Sequence, residues 1–185
     1  MEKDSIKHPP IAEVNYQIDW SRVPIDKIRY LKMQPHSQLD YVLHAYPTEG
    51  KSEEHIQAWK EVFDFWYTWR IDKDSLKGYL KQVSDEVGVG LNTNLTFYYL
   101  PPYKTLLPHY DIRSCNVNFV LGEDIAPINF DEYGDYHYPS FVFNGKNHKH
   151  SVMNRSSERF TLQVGYFNVE YEEVKRRLES NGLLT

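Results

Sequence analysis

The chain has 185 residues, of which 41% are hydrophobic and 25% charged, so its composition supports a packed core and excludes a largely disordered protein. Its net charge of −5 argues against a nucleic-acid ligand, because phosphate binding depends on clustered Lys and Arg. The single cysteine, Cys115, excludes an internal disulfide and a cysteine-rich zinc site. No apolar run approaches the roughly 20 residues of a membrane span, and the N-terminus lacks an apolar signal region, which predicts a soluble cytoplasmic protein.

Helical spacing dominates the first half of the chain. The segment 52–70 places apolar residues three and four positions apart, with Ser52 available as an N-cap. The segment 71–88 repeats that spacing. WSRVPIDKIRYL (20–31) fits either a strand or a short helix. We therefore expect residues 1–88 to form a mostly helical support.

After residue 88 the hydrophobic period changes to two, which is typical of strands. Strands are predicted at 91–100, 115–122, 140–145, 150–154 and 159–167. Clusters of Pro, Gly, Asn and Asp separate them, as in an all-β sandwich or barrel. Residues 170–182 have the pattern of a C-terminal helix that stops at Asn-Gly. The pattern predicts one domain over 1–185, with a small antiparallel barrel or jelly roll at 89–169 supported by helices.

A histidine and an aspartate stand two positions apart in HYDIRSCNVNFVLG (109–122). Residues at positions i and i+2 of a strand point to the same face, so His109 and Asp111 could share a metal ion. The motif is short, and chance produces it often in a chain with this many His and Asp residues. Taken alone, the simpler interpretation is a hydrogen-bonded pair near the start of a strand.

The segment 147–167 strengthens the metal hypothesis. His150 begins one predicted strand and Arg159 begins the next. Arg159, Thr161 and Gln163 share one face of that strand, while the apolar residues between them share the other face. An arginine that points inward is costly without an anion, and a carboxylate is the natural bidentate partner of its planar fork.

This combination resembles the iron(II)- and 2-oxoglutarate-dependent oxygenases, whose fold is a double-stranded β-helix, a jelly-roll and cupin-like barrel. The resemblance implies that His109, Asp111 and His150 hold Fe(II). It also implies that Arg159 and Thr161 bind the far carboxylate of the cosubstrate 2-oxoglutarate. The expected activity is then that of a dioxygenase, with hydroxylation of a C–H bond.

The tyrosine-rich strand before the motif is similar to a strand of prolyl hydroxylases and nucleic-acid demethylases that lines the cosubstrate pocket. Tyr99 would take that place, and Tyr98 is the alternative if the register shifts by one residue. Strand packing is a competing role for either tyrosine. Asn118 is a further candidate for the cosubstrate pocket, although a structural amide is an equally good interpretation.

Some alternatives stay open at the site itself. His148 competes with His150, and the spacing to Arg159 favours His150. HSVMNRSSERFTLQVGYF (150–167) is also similar to the aspartyl/asparaginyl β-hydroxylase branch, whose members can lack the metal carboxylate that Asp111 offers here.

The substrate expected from the resemblance is an amino-acid or peptide side chain, or else a small metabolite. The acidic, tyrosine-rich segment 124–139 connects the two halves that carry the metal ligands, and we expect it to line the substrate entrance. Two other functions remain possible on this pattern. One is a cupin-like metal enzyme that does not use 2-oxoglutarate, and the other is a non-catalytic β-barrel binding module.

Overall fold

The structure is a computed structural model that describes residues 9–31, 34–35, 50–54, 56–57 and 67–184. Over these residues the chain forms two antiparallel β-sheets with few helices, the arrangement of a cupin-like jelly roll. The predicted fold class, mainly β with helical support, is therefore confirmed.

The larger sheet surrounds a central strand that is buried along its whole length. Its strands are β1 (Ile11–Glu13), β2 (Gln34–Pro35), β3 (Tyr67–Ile71), β4 (Thr93–Leu100), β6 (Cys115–Leu121), β9 (Ser140–Phe143) and β11 (Arg159–Tyr166). Their order in the described part of the chain is β1-β9-β6-β11-β4-β3-β2. The central strand β11 pairs with β4 and β6 over most of its length, so both of its edges are hydrogen-bonded, and all of its residues are buried.

The smaller sheet carries the histidine-bearing strands. Its strands are β5 (Thr105–His109), β7 (Ile128–Phe130), β8 (Gly134–Tyr136) and β10 (His150–Met153). They follow the order β5-β10-β7-β8, which makes β5 and β10 direct neighbours. One cavity is lined by residues of both sheets.

Helices pack against the larger sheet on the side away from this cavity. They are α1 (Ile25–Leu31), α2 (Gly78–Gly88) and α3 (Tyr171–Ser180), with short 3-10 turns at Trp20–Arg22 and Lys73–Ser75. Val87 and Leu178 of these helices join Leu162 of β11 in one apolar cluster, and the Tyr166 hydroxyl donates a hydrogen bond to the Val87 carbonyl at 2.6 Å. In the part of the chain that the structure describes, none of the helices combines the length and apolarity needed to cross a membrane.

The helix predicted over 52–70 is wrong at its end, because Tyr67–Ile71 is a strand of the larger sheet. Residues 53–54 and 56–57 are helical, and residues 58–66 lie outside the described part of the chain. Large aromatic residues fit both periods, and pairing with β4 decides the outcome. The Trp69 and Phe97 rings stack across the two strands with centroids 5.8 Å apart.

The second predicted helix begins seven residues later than expected, at Gly78. Asp72 accepts a hydrogen bond from the Asp74 backbone, which favours a local turn over a helix. Gly78 has φ of +57°, so the backbone leaves the right-handed helical region at this residue. The ambiguous segment 20–31 contains a 3-10 turn followed by the short helix α1.

Three short strands of the smaller sheet escape the hydrophobic period. β5 contains Pro108, which fits because β5 is an edge strand of its sheet in the described residues. β7 and β8 form a hairpin inside 124–139, a segment predicted to be a loop. β7 is held by tertiary pairing, with Phe130 opposite His150. This segment is therefore partly structural, and its role at a substrate entrance stays a prediction.

Candidate functional site

His109, Asp111 and His150 lie together at one end of the smaller sheet. His109 ends β5 and His150 begins β10, and the antiparallel register places them directly opposite each other. Their ring centroids are 4.4 Å apart, and both side chains are buried. One potential ligand atom from each of the three residues lies within 4.8 Å of the other two. The sequence motifs are thus brought to one point, as a shared metal ion requires.

Asp111 reaches this point from beyond the strand, which differs from the expected geometry. β5 ends at His109, so strand alternation does not bring the two side chains together. Instead, the Asp111 backbone N–H donates to the Gly145 carbonyl at 2.8 Å. The carboxylate then lies 3.7 Å from Nε2 of His109 through one oxygen and 3.7 Å from Nε2 of His150 through the other.

A second layer of contacts orients these three side chains. Nδ1 of His150 lies 3.1 Å from the His148 carbonyl, so Nδ1 carries the proton and Nε2 is left to face Asp111. The Asn116 amide donates to Oδ2 of Asp111 at 2.6 Å. The Phe143 ring packs edge-on against the His150 ring at 5.0 Å. Such partners fix ring tautomer and carboxylate orientation in metal sites.

Gly145 provides the space that the Asp111 carboxylate occupies. A Cβ atom at this position would overlap Oδ2 of Asp111 and would lie 2.8 Å from the Phe143 ring. A side chain at residue 145 would therefore push the carboxylate away from the histidines.

The electrostatics of the group suit a divalent cation. Burial lowers the pKa of His150 to about 4, against the opposing pull of the Asp111 carboxylate, so its imidazole is neutral near pH 7. Burial alone would raise the pKa of Asp111, but the nearby His150 and His109 outweigh burial and hold that pKa below its ordinary value. One anionic carboxylate and one neutral imidazole are therefore available as donors, and the second imidazole faces the same point.

The group opens into a cavity between the two sheets that is partly open to solvent. Its other polar lining residues are Tyr98, Asn118, Arg159, Thr161 and Gln163. Leu106, Ile128, Phe143 and Val152 are among its apolar walls. The Oδ1 atom of Asn118 is buried and has no hydrogen-bond partner among the described residues. A cavity of this kind is equipped for a polar ligand with an apolar portion.

Arg159 is a buried cation in this cavity. Its side chain is 7% exposed, and its Nη1 donates to the Ala126 carbonyl at 2.6 Å. Among the described residues no carboxylate lies within 4 Å of its guanidinium, and burial lowers the pKa of Arg159 to about 10. The guanidinium is still charged at neutral pH, so its remaining donors are available to an anion.

The other residues predicted for the site fall on both sides of the sheet. Thr161 and Asn118 lie on the cavity side, as expected. Tyr99 does not, and its prediction as a pocket residue is wrong by one position. Its hydroxyl donates to Glu158 at 2.8 Å, and its ring packs on Tyr67 on the opposite face of β4. Tyr98, the alternative register, lines the cavity instead, because it pairs directly with Thr161.

The surroundings of His148 and His150 show which of the two histidines faces Asp111. His150 faces Asp111, whereas the His148 ring packs edge-on against Tyr133 with centroids 5.6 Å apart. His148 contributes its backbone carbonyl to the site and is not one of the three clustered ligand atoms.

Sequence reasoning missed Gly145 and Arg113. Gly145 stands in an ordinary Asn-Gly turn, and nothing in that dipeptide indicates contact with Asp111. Arg113 lies four residues after His109, and its guanidinium contacts the cavity-lining residues Tyr98 and Gln163. A positively charged residue just after the histidine and aspartate of 109–111 is the signal that could have suggested it.

Comparison with known proteins gives a likeness in fold alone. No family model and no curated protein matches the chain. The prolyl-4-hydroxylase of Pseudomonas putida is 14% identical, with a TM-score of 0.42 over 56% of this chain and 72% of that one. An oxidoreductase of the 2OG-Fe(II) oxygenase family from Burkholderia pseudomallei is 14% identical, with a TM-score of 0.43 over 57% and 67%.

A vicilin from tomato (Solanum lycopersicum) is also similar, at 16% identity and a TM-score of 0.40 over 62% of this chain and 36% of that chain. At these scores the comparisons carry no argument about activity.

Proposed function

We propose that the chain is an iron(II)- and 2-oxoglutarate-dependent dioxygenase that hydroxylates an amino-acid or peptide side chain or a small metabolite. The observation that carries the proposal is the pairing of two features in one cavity. A group of two histidines and one aspartate lies in the same cavity as a buried arginine that has no carboxylate partner among the described residues.

The three clustered residues fit iron(II). Two imidazole nitrogens and one carboxylate oxygen are the donor set of non-haem iron oxygenases, which leave other coordination positions open. The three ligand atoms lie within 4.8 Å of one another, and hydrogen bonds from Asn116 and to the His148 carbonyl orient Asp111 and His150. Among the described residues no cysteine competes for the ion, because Cys115 is buried in the apolar cluster behind the sheet.

Arg159 fits the far end of a dicarboxylic acid. A buried guanidinium with free donors is stabilised by an anion, and a carboxylate matches its planar geometry. Thr161, two residues along the same face, offers a hydroxyl to the same group. Asn118, whose Oδ1 has no partner among the described residues, also carries amide N–H donors that suit a carboxylate in this cavity.

When bound, iron with 2-oxoglutarate and dioxygen supplies the oxidising chemistry, and the protein supplies binding, orientation and shielding. His109, Asp111 and His150 hold the ion, and Arg159 with Thr161 sets the direction of the cosubstrate. The apolar walls at Ile128, Phe143 and Val152 exclude water from the reacting region. No protein nucleophile is needed in this scheme.

Anaerobic titration of the purified chain with Fe(II) and 2-oxoglutarate tests the proposal. The bidentate chelate should give a weak visible charge-transfer band, and succinate, which lacks the keto group, should give none. Arg159→Gln should weaken 2-oxoglutarate binding by about 30-fold or more, since it removes one partner of a buried charged pair. Arg155→Gln is the matched control, because Arg155 is exposed and pairs with Asp124.

Other results have distinct meanings. Metal binding without the band would indicate a cupin-like metal enzyme that does not use 2-oxoglutarate. Absence of both metal binding and the band would indicate a binding module. Equal effects of the two arginine substitutions would remove Arg159 from the cosubstrate site.

A further inference from the structure

Arg113 is held in a fixed orientation by hydrogen bonds to residues that line the cavity. Its Nη1 donates to the Tyr98 hydroxyl at 2.9 Å and to the Gln163 side-chain carbonyl, and its Nη2 donates to the Thr96 hydroxyl at 3.3 Å. The face of the Phe167 ring lies 5.8 Å from the guanidinium carbon. Several elements far apart in sequence therefore position this one side chain.

Gly165 provides the space for Arg113. A Cβ atom at residue 165 would overlap the Cδ of Arg113 and would lie 2.7 Å from its Nε. Gly165 has no positive φ, so the backbone does not need a glycine here. The space needed by Arg113, rather than the backbone conformation, therefore explains why residue 165 is a glycine. The arginine lies flat across the central strand because of it.

The acceptors that hold Arg113 are all uncharged. Among the described residues no carboxylate lies within 4 Å of its guanidinium. Three of its five N–H groups are used by these acceptors, which leaves Nε–H and one N–H of Nη2. Those two groups lie on one edge of the guanidinium, the edge that binds a carboxylate through two parallel hydrogen bonds.

Arg113 and Arg159 lie at opposite ends of the same strand face. Residues 159 and 165 of β11 are separated by about 20 Å, at roughly 3.3 Å per residue. Asp111 is tied to the Gly165 end, because it accepts from Asn116 and Asn116 pairs with Gly165. Arg113 is thus the cation on the metal side, and Arg159 is the cation at the far end.

Arg113 is close enough to Asp111 to help lower the pKa of that carboxyl, but iron(II) would draw on the same carboxylate in the loaded site. If the proposed function holds, the charges of iron(II), Asp111, 2-oxoglutarate and Arg159 sum to zero. The positive charge of Arg113 is additional to this sum, and the side chain is half-buried. A single guanidinium with one open edge suits a carboxylate better than a phosphate, which is usually bound by several cations or backbone N–H groups.

We infer that Arg113 is the specificity residue for the primary substrate and that this substrate carries a carboxylate beside the carbon to be oxidised. The inference rests on the proposed function and names its substrate class. The carboxylate belongs to a small acid, such as a free amino acid, or to an acidic side chain of a peptide. The two sources share one chemistry and are separated by the experiment.

The test uses matched carboxylate and carboxamide probes. Small carboxylic acids and amino acids are compared with their amides, and blocked peptides with Asp or Glu are compared with those with Asn or Gln. Binding to the anaerobic Fe(II)–2-oxoglutarate complex is followed by calorimetry and by the change in its visible band. At least one acid should bind about tenfold or more tightly than its amide.

Variants identify the residue responsible. Arg113→Gln should remove the preference for the acid and leave 2-oxoglutarate affinity unchanged, while Arg113→Lys should retain part of it. Gly165→Ala should reduce the preference without removing the charge, because it displaces the guanidinium. Arg155→Gln should have no effect.

Several outcomes would overturn the inference. They are equal binding of acids and amides, a preference that survives in Arg113→Gln, and the absence of any acid that binds. Loss of the visible band itself in Arg113→Gln would show that Arg113 only braces the metal-binding segment. If the wild-type chain gives no band, the proposed function fails separately. Acids are then titrated against the metal-free protein, where binding that depends on Arg113 supports the inference and its absence refutes it.

Discussion

The two faces of β11 are buried to the same extent and filled with different chemistry. Toward the helices, Phe160, Leu162 and Val164 pack into the apolar cluster. Toward the smaller sheet, Arg159, Thr161 and Gln163 line the cavity, and each is 6–7% exposed. Burying polar groups without saturating their hydrogen bonds costs stability. The comparison teaches that the apolar face stabilises the fold, and that the polar face is the one to which the proposed function assigns a ligand.

The largest effect on stability should come from the apolar face. Leu162→Ala removes a fully buried side chain and should lower the free energy of unfolding by about 3 kcal/mol. Thr161→Val keeps volume on the cavity face and should change it by less than about 1 kcal/mol. Urea unfolding followed by circular dichroism measures both values. Equal losses of stability in the two variants would show that the two faces contribute equally to the stability of the fold.

The next largest effect should concern the metal and leave the fold intact. Gly145→Ala places a methyl group against the Asp111 carboxylate and should weaken binding of Fe(II) or Zn(II) by about 10- to 100-fold. Lys146→Ala, at the exposed neighbouring position, is the control. Metal affinity is measured by competition with a chromogenic chelator. Unchanged affinity in Gly145→Ala would show that Asp111 is not a ligand.

Whether a strand could be predicted from the sequence depends on whether local or tertiary interactions decide its structure. Strand alternation in β4, β6 and β11 is local, so the period of the sequence indicated these strands and the two faces of β11. β3 and β7 were missed because pairing with distant strands, rather than their own pattern, decides their structure.

The site shows the same division. His109, Asp111, His150 and Arg159 stand in recognisable spacings, so the sequence indicated them before the structure brought them together. Gly145 touches Asp111 across 34 positions of sequence, and no local pattern encodes such a contact. The prediction for Tyr99 failed for a third reason, since an error of one residue in register reverses the face of a strand.

Tyr98 and Tyr99 are neighbours in β4 that point to opposite faces of the strand, so substitutions at these two positions compare the two faces. Tyr98→Phe removes the hydroxyl that accepts from Arg113 and should lower the free energy of unfolding by about 1 kcal/mol, because a half-buried cation loses an acceptor. Tyr99→Phe removes the hydroxyl that donates an exposed hydrogen bond to Glu158, and it should change the free energy of unfolding by less than about 0.5 kcal/mol. Thermal and urea unfolding of the pair test this. A larger loss in Tyr99→Phe would contradict the assigned faces.

The smallest expected effect is an increase in the free energy of unfolding. Asn118 keeps a buried Oδ1 atom without a partner among the described residues, on the face that lines the cavity. Asn118→Leu replaces this amide with an apolar side chain of similar size and should raise the free energy of unfolding by about 0.5 kcal/mol. Because the Asn118 amide also carries N–H donors, which suit a carboxylate, the same variant should bind 2-oxoglutarate less well, as measured by the anaerobic titration. A gain in stability with a loss of binding is the expected signature of a residue retained for its ligand. A loss of both would instead make Asn118 a structural amide of β6.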